Sequence, residues 1–152
     1  MKMVTQILVG ENSLSAFGFW LIAERIPFIF VLQIITMKKA YYLSTCSTCQ
    51  KILAQIKAPE SFQMQDIKTS PITLAQLEEM RELAGNYESL FSRRALKYRS
   101  MRLNEQKLVE DDYKNWILKE YTFLKRPVFI VNDKIFIGNS KKVVEAFLSE
   151  IQ

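Results

Sequence analysis

The chain contains two cysteines, Cys46 and Cys49, within the stretch YYLSTCSTCQK (41–51). Cysteines at i and i+3 share one face of a helical turn, so the second can resolve a mixed disulfide formed by the first. A zinc site would need two more ligands from carboxylates or a partner chain, because the sequence has no histidine and no third cysteine. Two buried small residues are a third alternative. The position of the pair, between a strand-like run and a helical run, favours a redox dithiol and no metal.

A helix predicted to begin near Ser47 would make the two thiols unequal. Unpaired backbone N–H groups and the positive end of the helix dipole stabilise a thiolate at a helix N-terminus. We therefore expect a lowered pKa for Cys46 and predict that it is the nucleophile. Cys49 lies one turn further into the helix, where it is shielded, and we predict that it is the resolving thiol.

Length and composition bound the class of protein. With 152 residues and 49% hydrophobic composition, the chain can form one compact domain. The net charge of +5 could favour anionic substrates. The densest basic run, SRRALKYRSMR (92–102), is short and is soon followed by the acidic VEDD (109–112), so we interpret it as a solvated loop and helix face and predict no direct binding of nucleic acid. Two cysteines do not form the disulfide framework of a secreted protein, and we expect a cytoplasmic location.

The first 36 residues differ from the rest of the chain. Two apolar runs, 16–23 and 26–35, flank the charged pair Glu24-Arg25. In a transmembrane helix an arginine near the centre costs about 2.5–3.5 kcal/mol, and a signal peptide would need a clearer cleavage site. We interpret residues 1–36 as an apolar extension upstream of a misassigned start, predict the domain over residues 37–152 and expect no membrane association. A membrane anchor formed by residues 16–36 is the alternative.

From Met37 onward the pattern alternates between strand and helix. Apolar spacing and turn residues predict, in order, a strand, a helix, a second strand parallel to the first, two helices separated by a mixed segment, a hairpin and a closing helix. The segments are 40–44, 49–57, 62–67, 72–86, 87–104 (mixed), 109–124, 126–138 (hairpin) and 140–152. Thr73 and Gln76 form a capping-box pattern at the start of the second predicted helix, 72–86, and Asn132-Asp133 marks the hairpin turn. The order is therefore βαβ, a helical insert (73–124) and ββα.

A strand, a C-x-x-C that opens a helix and a later X-Pro at the start of an antiparallel hairpin resemble the thioredoxin fold. With the helical insert, residues 37–152 resemble the arsenate reductase (ArsC) / Spx family. The motifs that carry the resemblance are YYLSTCSTCQK (41–51), DIKTSPIT (66–73), LFSRRALKYR (90–99), LKRPVFIV (124–131) and IFIGNSKKVVEAFL (135–148). The resemblance implies an α/β, thioredoxin-like fold with a helical insertion between its two halves.

The resemblance also implies functional residues. The Arg126-Pro127 peptide bond is expected to be cis and to lie beside Cys46, with Arg126 directed at the thiol pocket, where it would stabilise the thiolate and a bound anion. Lys51 and Arg94 are further candidates for an anion site. From the residues alone, Arg126 could equally be a structural ion-pair partner of Asp66 or Glu110.

The chain departs from the arsenate-reducing branch at several positions. Gln50 stands where the enterobacterial-type reductases have an arginine. Two other arginines of that branch align with Ser92 and with Gly138 or Asn139, and only Arg126 is matched. Arg94 and Gly138 instead resemble the Spx-like and uncharacterised ArsC-like branches.

Two functions follow from the resemblance. The first is a thiol–disulfide oxidoreductase, arsenate reductase-like or glutaredoxin-like, with no bound cofactor and with glutathione, glutaredoxin or thioredoxin as external reductant. Its substrate would be arsenate, a glutathione mixed disulfide or a protein disulfide. The second is a redox-sensing regulator similar to Spx, which binds the C-terminal domain of the RNA polymerase α subunit and uses the Cys46–Cys49 bond as a switch. The cysteine motif fits both functions.

Overall fold

The computed structural model of the protein describes residues 37–152, which belong to one compact unit. The predictions made for residues 1–36, including the membrane anchor, lie outside this range. Within the described range, no helix has the length and apolar character needed to cross a membrane.

Four strands form one mixed sheet in the order β2-β1-β3-β4. Strand β1 runs parallel to β2 and antiparallel to β3, and β3 pairs with β4 in an antiparallel hairpin. The strands are β1 (Lys38–Tyr42), β2 (Phe62–Asp66), β3 (Val128–Val131) and β4 (Lys134–Ile137). Asn132 takes the hairpin turn with a φ of 54°, a conformation that asparagine tolerates better than most residues. The α/β class and the parallel pairing of the first two strands are confirmed.

Five α-helices are present in the described part of the chain, and three of them form the insert. They are α1 (Ser47–Leu53), α2 (Leu74–Ala84), α3 (Leu96–Ser100), α4 (Glu110–Lys119) and α5 (Lys141–Glu150). Short 3-10 turns lie at Pro59–Ser61, Glu88–Leu90, Leu103–Glu105 and Tyr121–Phe123. The element order βαβ, helical insert and ββα is confirmed, and Thr73 and Gln76 form the predicted capping box of α2.

Two helices are shorter than the apolar spacing predicts. After α1 the backbone tightens, because the N–H of Gln55 bonds to the carbonyl of Ile52 at 3.1 Å and that of Ile56 to Leu53 at 3.0 Å. Ile56 therefore stays buried although it lies outside the helix. Helix α4 ends because Glu120 is extended, with a φ of −145°, and its carboxylate caps the following 3-10 turn.

The sheet separates two apolar layers, because successive residues of a strand point to opposite faces. Ala40 of β1 packs with residues of α1 and α5, whereas Tyr41 packs with residues of the insert. In β3 the alternation is the same: Phe129 stacks on Phe147 of α5 with ring centroids 3.8 Å apart, and Val128 belongs to the insert layer. All four residues of β3 are buried, so the segment that follows Pro127 is fixed from both sides.

Candidate active site

The loop between β1 and α1 fixes the position of Cys46. The N–H of Cys46 donates to the carbonyl of Leu43 at 3.0 Å, and its own carbonyl accepts from the N–H of Gln50 at 3.1 Å, so Cys46 is the N-cap of α1. The Gln50 side chain donates to the carbonyl of Ser44 at 3.1 Å, and the N–H of Ser44 lies 3.4 Å from a carboxylate oxygen of Asp66. The side chain of Gln50 therefore holds the loop that precedes the thiol.

Cys46 is partly exposed and has a lowered pKa. Burial alone would raise the pKa of its thiol and is the largest single influence, but it is outweighed. Hydrogen bonds from the backbone N–H and the thiol of Cys49, the N–H of Thr48 and the charge of Arg126 together hold the pKa of Cys46 below its ordinary value. These N–H groups lie in the first turn of α1, where a thiolate on the N-cap residue Cys46 is stabilised.

Cys49 is fully buried and has the opposite shift. Burial raises the pKa of Cys49 to about 11, and the hydrogen bond and negative charge shared with Cys46 add to the rise. The two thiols therefore lie near each other with different proton affinities. This arrangement favours a thiolate on Cys46 over one on Cys49.

Arg126 and Pro127 precede β3 on the other side of the site. Their peptide bond is cis, and Pro127 is buried. The carbonyl of Pro127 accepts a hydrogen bond from the N–H of Gly138 at 2.8 Å, which joins this segment to the end of β4. Arg126 lines the same cavity as Cys46 and lowers its pKa by charge. The cis bond and its place beside Cys46 are as the resemblance implies.

The Arg126 guanidinium has no partner among residues 37–152. Its Nη1 atom is buried and makes no hydrogen bond there. The carboxylate of Glu110 instead accepts from the N–H of Tyr87 at 2.6 Å, and Asp66 accepts from backbone N–H groups, including that of Ser44. The alternative of an ion pair between Arg126 and Asp66 or Glu110 is therefore wrong for the described structure.

A cavity of about 760 Å³ opens in front of these residues. The insert, the segment before Pro127 and the β4–α5 junction form its walls. The lining residues are Cys46, Asn86, Glu88, Ser89, Phe91, Ser92, Arg93, Arg94, Lys125, Arg126, Ile137, Gly138, Asn139 and Ser140. Four of them are cationic and one is anionic, so the cavity favours a negatively charged ligand.

Two of the four cations are already engaged by protein groups. Arg93 lies 2.5 Å from the Glu88 carboxylate and donates to the Tyr113 hydroxyl oxygen at 3.1 Å. The ammonium of Lys125 donates to the Ser89 carbonyl at 2.8 Å. Burial lowers the pKa of Lys125, and the charge of Arg93 lowers it further.

The other two cations, Arg94 and Arg126, have no ion-pair partner between Met37 and Gln152. These two cations are therefore the ones available to pair with a ligand. Sequence reasoning selected both of them as candidates, but it did not select Lys125. The position of Lys125, directly before the predicted cis-Pro segment, is the signal that could have found it.

Lys51 is not brought to the site. It lies on the exposed side of α1 and is absent from the cavity wall. The part of the cavity wall formed by Gly138, Asn139 and Ser140 has no cation. Among residues 37–152, no group of three or more acidic or cysteine side chains is placed to hold a metal ion.

Known proteins of two kinds are similar to this chain. The global transcriptional regulator Spx of Streptococcus pyogenes serotype M1 is 27% identical over 107 residues, which cover 69% of this chain and 80% of that protein. A putative arsenate reductase from Yersinia pestis superposes with a TM-score of 0.62 at 18% identity, covering 74% of this chain and 98% of that chain. A possible arsenate reductase from Streptococcus mutans UA159 gives a TM-score of 0.60 at 22% identity, with the same coverage.

The two solved structures have the same α/β fold as the described residues, which confirms the thioredoxin-like class with its helical insert. The model of the ArsC family matches residues 41–147, a range that begins in β1 and ends in α5. It includes both cysteines, the cis-proline and the whole insert. This match covers most of the chain, and the chain therefore belongs to the ArsC family.

Proposed function

We propose that this ArsC-family protein is a thiol–disulfide oxidoreductase in which Cys46 attacks the substrate and Cys49 resolves the product. The observation that carries the proposal is the pairing of a Cys46 thiol of lowered pKa with a Cys49 thiol whose pKa is about 11. Cys46 lies at a cavity in which a buried nitrogen of Arg126 has no partner among the described residues. A thiolate, an internal proton and an open cation suit nucleophilic attack on an electron-poor sulfur or oxyanion.

The chemistry with a disulfide substrate takes two steps. The Cys46 thiolate attacks one substrate sulfur, forms a mixed disulfide and releases the other sulfur as a thiolate. The Cys49 thiol then loses its proton and attacks Sγ of Cys46, which forms the Cys46–Cys49 disulfide and releases the second substrate sulfur. Two electrons pass to the substrate. The proton of Cys49 passes to one released sulfur, and the other released thiolate takes its proton from water.

Arsenate would follow the same order. Cys46 bonds to arsenic with loss of one oxygen as water, and the attack of Cys49 on Sγ of Cys46 releases arsenic as arsenite, reduced by two electrons. Arg94 and Arg126 would bind the oxyanion, without further arginines at Gln50 or at the β4–α5 junction. Glutathione, glutaredoxin or thioredoxin would return the disulfide to the dithiol in a reducing cytoplasm.

The test is a coupled assay that supplies arsenate, glutathione, either glutaredoxin or thioredoxin, and NADPH with the reductase that regenerates the chosen reductant. The same assay is repeated with a glutathione mixed disulfide in place of arsenate. We expect NADPH oxidation that depends on the substrate and that both Cys46→Ser and Cys49→Ser abolish. Iodoacetamide should also alkylate Cys46 well below the ordinary thiol pKa of about 8.5. Activity that survives Cys46→Ser, or an ordinary thiol titration of Cys46, would contradict the proposal.

The relatives named global transcriptional regulator Spx support a second candidate. In it the protein is a redox-sensing regulator that binds the C-terminal domain of the RNA polymerase α subunit, and the Cys46–Cys49 bond is a switch. A pull-down with that domain, under reducing and under oxidising conditions, separates the two functions. Binding that changes with the redox state supports the regulator, and absence of binding in both states removes it.

A further inference from the structure

Leu96 is the most exposed large apolar side chain in the described part of the protein. It is 91% exposed, whereas the next of these residues, Val109, is 56% exposed. It is the first residue of α3, directly after the buried Ala95. An apolar side chain of this size gains about 1.5–3 kcal/mol when it is fully buried, so its exposure leaves that stabilisation available to a partner.

The helix that carries Leu96 is held firmly from its other side. Ala95 is 8% exposed, and the ring of Tyr98 packs edge-on against Phe91 with centroids 5.8 Å apart. The N–H of Tyr98 donates to the carbonyl of Ala95 at 3.0 Å. Leu96 therefore points outward because the rest of α3 is anchored to the core, and the surface that it forms is preorganised.

Basic residues are concentrated in the segment that contains this side chain. Residues 92–102 contain five basic and no acidic residues, a charge of +5 that equals the net charge of the whole chain. The basic residues are Arg93, Arg94, Lys97, Arg99 and Arg102. Arg99 lies three positions after Leu96 on α3, so the two side chains are neighbours on one helix face. We call Leu96, Arg99 and Arg102, with Arg94 beside them, the α3 patch.

Three of the five basic residues in 92–102 have no acidic partner in the described part of the chain. Lys97 contacts the carboxylate of Glu120, and Arg93 pairs with Glu88. Arg94, Arg99 and Arg102 are exposed and have no ion-pair partner among residues 37–152. The patch thus combines an exposed apolar side chain with three unpaired arginines that are close to it in sequence.

The α3 patch is continuous with the candidate active site. Arg94 lines the cavity that contains Cys46, and Leu96 follows two residues later. Two residues of trans chain span at most about 7.6 Å between Cα atoms, so a partner seated on Leu96 reaches the mouth of the cavity.

We propose that the α3 patch docks an acidic polypeptide segment with an apolar residue at its centre, and that this segment presents a disulfide to Cys46. The inference rests on the proposed thiol–disulfide function. Cys46 attacks the polypeptide sulfur and releases its former partner as a thiolate. Cys49 then attacks Sγ of Cys46, releases the polypeptide as a thiol and leaves the Cys46–Cys49 disulfide, so two electrons pass to the polypeptide disulfide.

A polypeptide fits the patch better than a nucleic acid does. Phosphate backbones are bound by charge, and the exposed Leu96 of the α3 patch adds nothing to that contact. A protein segment with carboxylates around an apolar side chain satisfies both the arginines and Leu96. The α3 helix is also only five residues long, which offers few phosphate contacts.

The experiment uses the full chain and a series of synthetic peptides. Each peptide carries one cysteine as a pyridyl disulfide, a leucine flanked by glutamates and a spacer of increasing length between them. A matched series has lysines in place of the glutamates. Release of pyridinethione gives the rate of attack by Cys46, and each peptide rate is divided by the rate with neutral dipyridyl disulfide, so that general changes in thiol reactivity cancel.

We expect the best acidic peptide to react about 10-fold faster than its lysine counterpart at low ionic strength, and the preference to shrink with added salt. Leu96→Asp and the double variant Arg99→Glu/Arg102→Glu should each reduce the normalised rate of the acidic peptide about 10-fold. Leu74→Asp is the matched control, because Leu74 is an exposed leucine, 49% exposed, on a different helix. Circular dichroism melts of each variant establish that it is folded.

Several results would overturn the docking proposal. They are no preference for acidic peptides at any spacer length, a preference that Leu96→Asp leaves intact, and an equal loss in Leu74→Asp. If the α3-patch variants keep the preference for acidic peptides but no longer self-associate, the patch belongs to an interface with a second copy of the chain. If they keep the preference but no longer bind a labelled DNA duplex, the patch binds nucleic acid. Failure of Cys46 to react with dipyridyl disulfide is a different result, since it contradicts the proposed function itself.

Discussion

Cys46 and Cys49 share the first turn of α1 but have pKa shifts of opposite direction, and the cause lies in their immediate neighbours. Cys46 is partly exposed and receives hydrogen bonds and the field of Arg126, whereas Cys49 is completely buried. The same contact contributes to both shifts, because the Cys49 thiol donates to Cys46 and is itself held protonated by the negative charge it faces. The pair is therefore poised as one thiolate and one thiol.

The Cys49 thiol can be tested as a hydrogen-bond donor to Cys46. Cys49→Ala removes the donor, and Cys49→Ser keeps one in the form of a hydroxyl group. We expect the pKa of Cys46, read from the pH dependence of iodoacetamide alkylation, to rise in Cys49→Ala and to rise less in Cys49→Ser. Equal titration curves for the two variants would show that the contact does not stabilise the thiolate.

Arg126 supports Cys46 at the expense of stability. Its charge lowers the pKa of Cys46, while its buried Nη1 lacks a partner among residues 37–152. A buried donor without a partner costs about 1–3 kcal/mol, so Arg126→Met should raise the free energy of unfolding by about 1 kcal/mol. The same variant should raise the pKa of Cys46. Urea unfolding and alkylation kinetics measure the two effects.

The matched control for Arg126→Met is Arg94→Met. Arg94 is exposed at the cavity, so its loss should change the free energy of unfolding by less than about 0.5 kcal/mol. A fall in stability for Arg126→Met would mean that its guanidinium makes a net favourable contact.

At the scale of elements, four segments converge on the cavity: the N-terminus of α1, the cis-Pro segment before β3, residues 86–94 of the insert and the junction between β4 and α5. The first two were predictable, because C-x-x-C at a strand-to-helix boundary and X-Pro before a hairpin are local patterns.

Lys51 was predicted as an anion-site residue but does not line the cavity, and the reason is geometric. It lies five residues after Cys46, and at 100° per residue that is about 140° around the helix from the thiol. Its charge therefore projects away from the cavity, although it is close in sequence.

The junction between β4 and α5 depends on Gly138. Its φ is +87°, a conformation that L side chains rarely adopt, and a Cβ added there would have no atom within 4 Å. The obstacle to a side chain is therefore backbone strain alone. Gly138→Ala should lower the free energy of unfolding by about 1–2 kcal/mol, measured by urea denaturation. Asn139→Ala, on the next residue of the same wall, is the control with an ordinary backbone. No difference between the two variants would mean that the junction relaxes without loss.

At the scale of the whole molecule, the element order and the two-layer core follow from apolar periodicity, but the shape of the cavity does not. Its charged wall forms where residues 88–94 of the insert meet the segment before Pro127. Contacts over long sequence distances hold this wall, such as the Ser92 N–H to the Phe123 carbonyl at 2.7 Å and the Lys125 ammonium to the Ser89 carbonyl at 2.8 Å. No local pattern encodes them. For this reason the basic run 92–102 was interpreted as a solvated face, although Arg93 and Arg94 line the cavity.

The opposite shifts of the two cysteines also predict how the stability of the reduced protein depends on pH. A free thiol has a pKa of about 8.5 in the unfolded chain. Because the pKa of Cys46 is lower in the native state, the native chain loses this proton at a lower pH than the unfolded chain does. The free energy of unfolding therefore rises as the pH approaches about 8.5 from below. Above about pH 8.5 the native state keeps the proton of Cys49, whose pKa is about 11, after the unfolded chain has lost its own, so stability falls.

Two serine variants separate these contributions, because serine does not titrate in this range. Urea unfolding under reducing conditions, between about pH 6 and pH 11, should show that Cys46→Ser loses the rise relative to the native chain and Cys49→Ser loses part of the fall. Some fall should persist in both variants, because burial raises the pKa of Tyr41 to about 12, and the charge of Glu79 adds to the rise. If both variants kept the pH profile of the native chain, the native-state shifts of the two thiols would be absent, and the asymmetry on which the proposed chemistry depends would be absent with them.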